Sequence, residues 1–232
     1  MLAERWCAVD GFLSEHLIGS DPLSEAALAA SDAAGLPPIA TSSSQGKLLE
    51  LLVRIQGAQR ILELGTLGAY STIWLARALP SGGRLITCEA DPHCAQTARA
   101  NIAAAGLAER VQLREGPALE TLAELDAEGS DPFDMIFVDA DKASYPDYLQ
   151  WSLKLSRPGS LLVIDNVIGG GAIIDANGGE PWSEDGGLAG VRRLYELLAA
   201  EPRIDATAIQ TGGEKGHDGF VLAVVTDGQA SR

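Results

Sequence analysis

Cationic residues are scarce in this chain: 17 Lys and Arg stand against 32 Asp and Glu, a formal net charge of −15 over 232 residues. Binding to nucleic acid or to an acidic membrane surface draws on clustered Lys and Arg. No such cluster is present, so both classes of partner are set aside. Cysteine is equally sparse. Cys7, Cys88 and Cys94 are odd in number and lack metal-ligand spacing, which fits reduced thiols in a cytoplasmic protein better than a disulfide framework. The three histidines, His16, His93 and His217, are too scattered for zinc. A long apolar run and a basic leader are both missing, so neither a membrane span nor a signal peptide is expected, and the cytoplasm is the expected location. What remains is 46% hydrophobic, the composition of one ordinary core in a single domain, here residues 1–232.

Residues 1–37 read as an N-terminal helical elaboration, two segments rich in acids and ended by Leu36-Pro-Pro38. From 38 to 232 strands and helices alternate. Strand candidates are Arg60–Leu64, Arg84–Glu89, Val111–Glu115, Phe133–Asp139, Ser160–Asp165, Ile204–Thr211 and Phe220–Thr226. Helix candidates lie near 47–56, 92–105, 117–125, 145–155 and 188–200. Near-continuous apolar strands alternating with helices imply an α/β fold with a mostly parallel sheet covered on both faces. The last two strands, joined without a helix, imply an antiparallel hairpin. The glycine-rich run 169–190 is the one long irregular stretch, a length that usually serves a functional lid or a mobile segment.

Chemistry concentrates at the strand ends, where open parallel sheets bind ligands. In Arg60-Ile-Leu-Glu-Leu-Gly-Thr-Leu-Gly-Ala-Tyr-Ser71 an apolar strand meets a glycine turn and a helix start, but the three-glycine dinucleotide fingerprint is absent. This is a small-molecule cofactor site in which Glu63 offers an acceptor to a cationic or hydroxylated ligand. Four strands end in acids: Glu63, Glu89, Asp139 and Asp165. Any one of them could equally cap a helix; four in succession are harder to dismiss. Glu89 closes the second strand, where doubly wound sheets hold a carboxylate against ribose hydroxyls, and so implies a nucleoside cofactor. Asp139 with Asp165-Asn166 brings three hard oxygen donors from two strand ends, a set suited to Mg²⁺ with places left for a bidentate substrate. Lys142 stands beside them. A neighbouring divalent cation disfavours its protonated form, as a general base requires; a plain salt bridge to Asp139 or Asp141 is the competing reading.

Taken in order, Glu63-Leu-Gly-Thr-Leu-Gly-Ala-Tyr-Ser71, Glu115-Gly-Pro-Ala-Leu119, Val138-Asp-Ala-Asp-Lys-Ala-Ser-Tyr145 and Val163-Ile-Asp-Asn-Val167 resemble the cation-dependent O-methyltransferases of the catechol and caffeoyl-CoA type, over about Pro38 to Thr226. The resemblance implies a Rossmann-like class I methyltransferase fold, with a seven-stranded, mostly parallel sheet and a C-terminal antiparallel hairpin. It implies S-adenosyl-L-methionine as cofactor and a divalent cation, Mg²⁺ first, Mn²⁺ or Ca²⁺ as alternatives. Glu63, Gly65, Thr66 and Ser71 would then surround the methionine portion, with Thr41 covering it and Asp139 and Asp141 reaching it from the fourth strand. Glu89 would hold the ribose, and Ala118 would present its backbone to the adenine. Asp139, Asp165 and Asn166 match the metal ligands. Lys142, assisted by Asp139, matches the catalytic base. The acceptor is expected to be a small aromatic molecule with vicinal hydroxyls, a catechol or hydroxycinnamate, and the chain a homodimer.

Ala69 departs from the family pattern, in which a second glycine is common, as does the glycine-rich segment after Asn166. Tyr145, Trp182 and Trp6 are aromatic candidates for stacking an acceptor, each read first as packing. A metal-free methyltransferase, a cofactor-binding protein without catalysis and a nicotinamide oxidoreductase are the rivals. The last would need a third glycine and a catalytic Tyr-Lys or His arrangement, which is not evident.

Overall fold

The computed structural model describes residues 2–175 and 186–228. In chain order it forms α1 (Leu2–Leu17), α2 (Pro22–Ala33), α3 (Ser43–Gln56), β1 (Arg60–Leu64), α4 (Tyr70–Ala78), β2 (Arg84–Glu89), α5 (Pro92–Ala104) and β3 (Val111–Glu115). Then follow α6 (Ala118–Ala127), β4 (Phe133–Val138), α7 (Tyr145–Lys154), β5 (Ser156–Asp165), α8 (Gly187–Ala200), β6 (Ile204–Gly213) and β7 (Gly216–Val225). Short 3₁₀ turns occupy Lys142–Ser144 and Gly169–Ile174. Trp182 and the glycines at 178 and 179 lie outside the described residues.

The seven strands run β3-β2-β1-β4-β5-β7-β6. The first five are parallel, and β7 is antiparallel to both β5 and β6. The mostly parallel sheet with a terminal antiparallel hairpin is as expected, and it is the Rossmann-like methyltransferase fold. Strand order reverses between β1 and β4, so the crevice beyond their carboxyl ends is where such a sheet places ligands. Period-two alternation fills both faces. Leu62, Leu64, Ile136, Val138 and Leu162 pack with Leu122, Leu149, Val191 and Leu194 from α6, α7 and α8. Ile61, Met135, Phe137 and Val163 pack with Leu49, Val53, Ile73, Ala98 and Ile102 from α3, α4 and α5.

Helix starts follow their caps. Asp91 accepts from His93 N (2.7 Å) and Cys94 N (3.0 Å), with Pro92 in the first turn of α5, and Ser42 Oγ accepts from Gln45 N (3.2 Å) at α3. The hairpin is longer than its sequence suggests, because β6 and β7 stay in register to Gly213↔Gly216 through glycines that pair by backbone alone. The second helix of the N-terminal segment docks on the core through buried Ser24 and Ala27, while α1 buries none of its described side chains. Asp21 pairs with Arg77 of α4, and Asn101 of α5 donates to Ala27 O (3.2 Å) and to Gly68 O (2.9 Å), so α2 braces the glycine turn from outside. Among the described residues no helix is long and apolar enough to cross a membrane.

Candidate functional site

A cleft of about 1110 Å³ opens beyond the carboxyl ends of β1 and β4. One half is walled by Thr41, Gly65, Thr66, Ser71, Glu89 and Ala118, the other by Asp139, Asp141, Lys142, Asp165 and Asn166. The strand–turn–helix geometry of β1 and α4 explains the first half. Gly65 (φ +94°) makes the sharp turn off the strand, and Ala69 sits left-handed at φ +67° as the N-cap of α4, a conformation that explains why glycine is common there. Glu89 Oε2 accepts from Thr66 N (3.2 Å) and Leu67 N (2.7 Å), and its Oε1 from Asp91 N (2.9 Å). Its carboxylate is thereby fixed at the rim of the turn. Thr66 contributes backbone, since its hydroxyl turns inward to Thr87 Oγ1 (2.5 Å) and Cys88 O (3.0 Å). Ala118 opens α6, at a helix start where backbone N–H groups lack intrahelical partners. Thr41 Oγ1 is buried in the cleft wall and has no hydrogen-bond partner among the described residues, so a polar ligand atom there would satisfy it.

Glu63 stands apart. It lies one residue inside β1, fully buried, off the cleft wall, and accepts from Ser71 Oγ (2.6 Å), Thr72 Oγ1 (2.5 Å) and Thr87 Oγ1 (2.7 Å). Whatever it does for a ligand it does through Ser71, by fixing the first turn of α4. Burial pushes its carboxyl from 4.5 up to about 7, against the pull of the three hydroxyls and with the Asp139 charge adding to the rise. The native state therefore holds a proton that the unfolded chain has released between about pH 4.5 and 7. Stability is expected to fall as pH rises through that window and to level off above it, by on the order of 3 kcal/mol from this group. Urea melts of the ligand-free protein at pH 5 and 8 would measure it. Glu63→Gln should reduce the slope by this group's share, leaving the part due to Asp165, whose carboxyl is also raised to about 7, and an unchanged slope would reject this origin.

The second half is the more unusual chemically. Asp165 is 4% exposed; its Oδ1 accepts from Asn166 N (2.8 Å) and its Oδ2 from Gln45 Nε2 (2.6 Å). Burial, followed by the Asp139 charge, raises its carboxyl to about 7, only partly offset by Asn166 N, Lys142 and Gln45. Asn166, at φ +53°, donates through Nδ2 to Asp218 Oδ2 (3.3 Å), which leaves its carbonyl oxygen as the donor available to a cation. Lys142 Nζ reaches Asp139 Oδ1 (3.2 Å) and Ala140 O (3.0 Å). Asp141 accepts from Tyr148 Oη and Ser144 N. Two crowded carboxylates and an amide oxygen are hard donors that a Mg²⁺-like ion fits. Among the described residues no three His, Cys, Asp or Glu side chains cluster as a metal site; the candidate set has two acids, with Asn166 the third member.

Sequence reasoning missed Gln45, Asp218 and Tyr148, which line the same cleft. Asp218 ties the chain after Asn166 by accepting from Ile168 N (3.0 Å), Gly169 N (3.1 Å) and Gly219 N (2.9 Å). The S-x-x-Q pattern at Ser42–Gln45 was the one available signal, and it points to a helix cap. Tyr145 is fully buried and donates to Asp165 O (2.7 Å), and Trp6 lies against Gly212; both are packing positions.

A sequence model of the O-methyltransferase family matches residues 21–224. The chain is 49% identical over 217 residues to a catechol O-methyltransferase of Mycobacterium tuberculosis, covering 94% of each. It is 49% identical over 218 residues to one of Niastella koreensis, covering 94% of this chain and 96% of that one. Among solved structures it resembles an O-methyltransferase from Bacillus cereus in complex with SAH (TM-score 0.93, 52% identity, 97% of this chain and 100% of that one). TomG from Streptomyces achromogenes, an O-methyltransferase in complex with SAM, is similar too (TM-score 0.91, 49% identity, 97% and 99%).

Proposed function

The chain belongs to the O-methyltransferase family, and from that premise we propose that it acts, as a single domain, on a catechol-like or hydroxycinnamate-like acceptor with the help of a divalent cation. The observation that carries this reading is one cleft of about 1110 Å³ with two chemically distinct walls. That exceeds the roughly 300–1,000 Å³ of a single small-molecule site and leaves room for cofactor and acceptor together. The M. tuberculosis and N. koreensis relatives named for catechol support the acceptor class.

Each residue then takes a role. Glu89, with lone pairs left beyond its three backbone donors, accepts from ribose hydroxyls. Thr41 offers its unpaired hydroxyl to the methionine portion. Gly65, Thr66, Ser71 and Asp141 line that portion, and Glu63 supports it through Ser71. The start of α6 at Ala118 meets the adenine. In this site S-adenosyl-L-methionine supplies an electrophilic methyl group. Asp139, Asp165 and Asn166 would hold Mg²⁺, or Mn²⁺ or Ca²⁺, whose charge favours the phenolate form of a chelated hydroxyl. Lys142 Nζ, which lies 3.2 Å from Asp139 Oδ1, accepts the phenolic proton if it has first lost its own proton to solvent, which a neighbouring cation favours, or, still protonated, faces the anion. Because methyl transfer needs alignment more than bond-breaking help, these residues work chiefly by positioning.

A homodimer is part of the same reading, supported by Val9, Phe12, Leu13 and Leu17 on α1 and Leu51 and Ile55 on α3, which leave apolar surface in solvent. The experiment is methyl transfer from labelled S-adenosyl-L-methionine to a panel of catechols and hydroxycinnamates, with Mg²⁺ and again with EDTA. Transfer that disappears with EDTA is expected. Transfer insensitive to EDTA would leave the family and remove the cation.

A further inference from the structure

Gln45 has a local role open to it and does not take it. In Ser42-Ser-Ser-Gln45 a capping box would send the glutamine side chain back to the backbone N–H of the N-cap residue. Only half of that box forms. Ser42 Oγ accepts from Gln45 N (3.2 Å), while Gln45 Nε2 reaches Asp165 Oδ2 at 2.6 Å, 120 positions along the chain. The first turn of α3 is anchored where it makes that reach, because Gly46 packs so closely on the Trp74 ring that a Cβ there would lie 2.5 Å from Nε1. The donor is therefore presented by a fixed piece of backbone.

Asp165 needs such a partner. Its main-chain carbonyl is held by Tyr145 Oη (2.7 Å) and its Oδ1 by Asn166 N (2.8 Å). Gln45 is the contact that fixes Oδ2, and so the rotation of the carboxylate plane. The bond uses one lone pair of Oδ2 and leaves the other for a cation. We propose that Gln45 is a positioning residue that holds the Asp165 carboxylate in the orientation that receives the divalent ion. The inference rests on the cation reading of the Asp139, Asp165 and Asn166 wall and adds a residue outside that set. An outer partner of a metal ligand typically changes metal affinity by about 10–100-fold when removed.

The test uses Gln45→Met, which keeps length and loses the donor. Gln45→Asn keeps the amide one methylene short and repeats the measurement should methionine unsettle the turn. Mn²⁺ affinity is read by electron paramagnetic resonance in the presence of S-adenosylhomocysteine, and S-adenosylhomocysteine affinity by calorimetry in EDTA. Loss of the bond should weaken Mn²⁺ binding about tenfold or more. S-adenosylhomocysteine affinity should stay within about twofold, and kcat should return to near the parent value at saturating Mn²⁺, because only metal capture is impaired. Equal Mn²⁺ affinity in parent and variant overturns the role of Gln45. A parallel loss of S-adenosylhomocysteine affinity also overturns it, by making the residue a prop of the whole turn. A parent protein that binds no Mn²⁺ removes the cation reading itself, and the inference with it.

Discussion

Asp165→Ala is expected to eliminate cation-dependent methyl transfer while leaving S-adenosylhomocysteine binding within about twofold of the parent. The split follows from placement: Asp165 ends β5 on the acid-rich wall, whereas Thr41, Gly65, Ser71, Glu89 and Ala118 form the opposite wall. Under the proposed cation mechanism, losing the ion forfeits several kcal/mol of stabilisation of the developing anion, about 10³-fold in turnover for ~4 kcal/mol. Folding should survive. The native carboxyl is disfavoured by burial and by the Asp139 charge, with its value raised to about 7, so its removal takes away a strained group along with a hydrogen-bond acceptor. Turnover near the parent rate in Mg²⁺ would discard the cation mechanism. Loss of S-adenosylhomocysteine binding together with turnover would mean that the two walls are not independent.

The two halves of the cleft differed in how much of them the sequence revealed, and the difference has a physical cause. Predominantly apolar segments of five or six residues separated by helical spacing mark β1, β2 and β4 to within a residue, because those strands are largely buried on both faces and their composition reports it directly. The strand-end acids are local features of the same kind. Glu63 is the exception that exposes the limit. It looks like a rim acid, yet it lies inside β1, where Ser71 and Thr72 of α4 and Thr87 of the neighbouring β2 hold it. Gln45, Asn101 and Asp218 were not legible, because their meaning lies in partners 33 to 120 positions away. How the N-terminal helical elaboration docks was hidden for the same reason: Asp21–Arg77 and Asn101–Ala27 tie α2 to α4 and α5 through pairs that no local pattern announces.

Gly65→Ala should be the most disruptive small substitution in the cleft, acting on both walls at once. At φ +94° a side chain is already strained, and a Cβ there would sit 2.0 Å from the carbonyl oxygen of Asp139 and 2.8 Å from its carbonyl carbon. Backbone cannot swing aside as a side chain can. Gly65 N donates to Cys88 O (3.1 Å) and Asp139 N to Leu64 O (2.8 Å), so the turn is clamped between β2 and β4, and relief requires those bonds to open. Overpacking and left-handed strain together are expected to cost ~3 kcal/mol or more of stability, read by urea denaturation. Because the atom struck belongs to Asp139, affinity for S-adenosylhomocysteine and for Mn²⁺ should fall together, in contrast to Asp165→Ala, which spares the first. An alanine variant that keeps both affinities would show that the crevice between β1 and β4 is looser than this packing requires. It would also remove the reason for a glycine where the turn after β1 meets Asp139 at the end of β4.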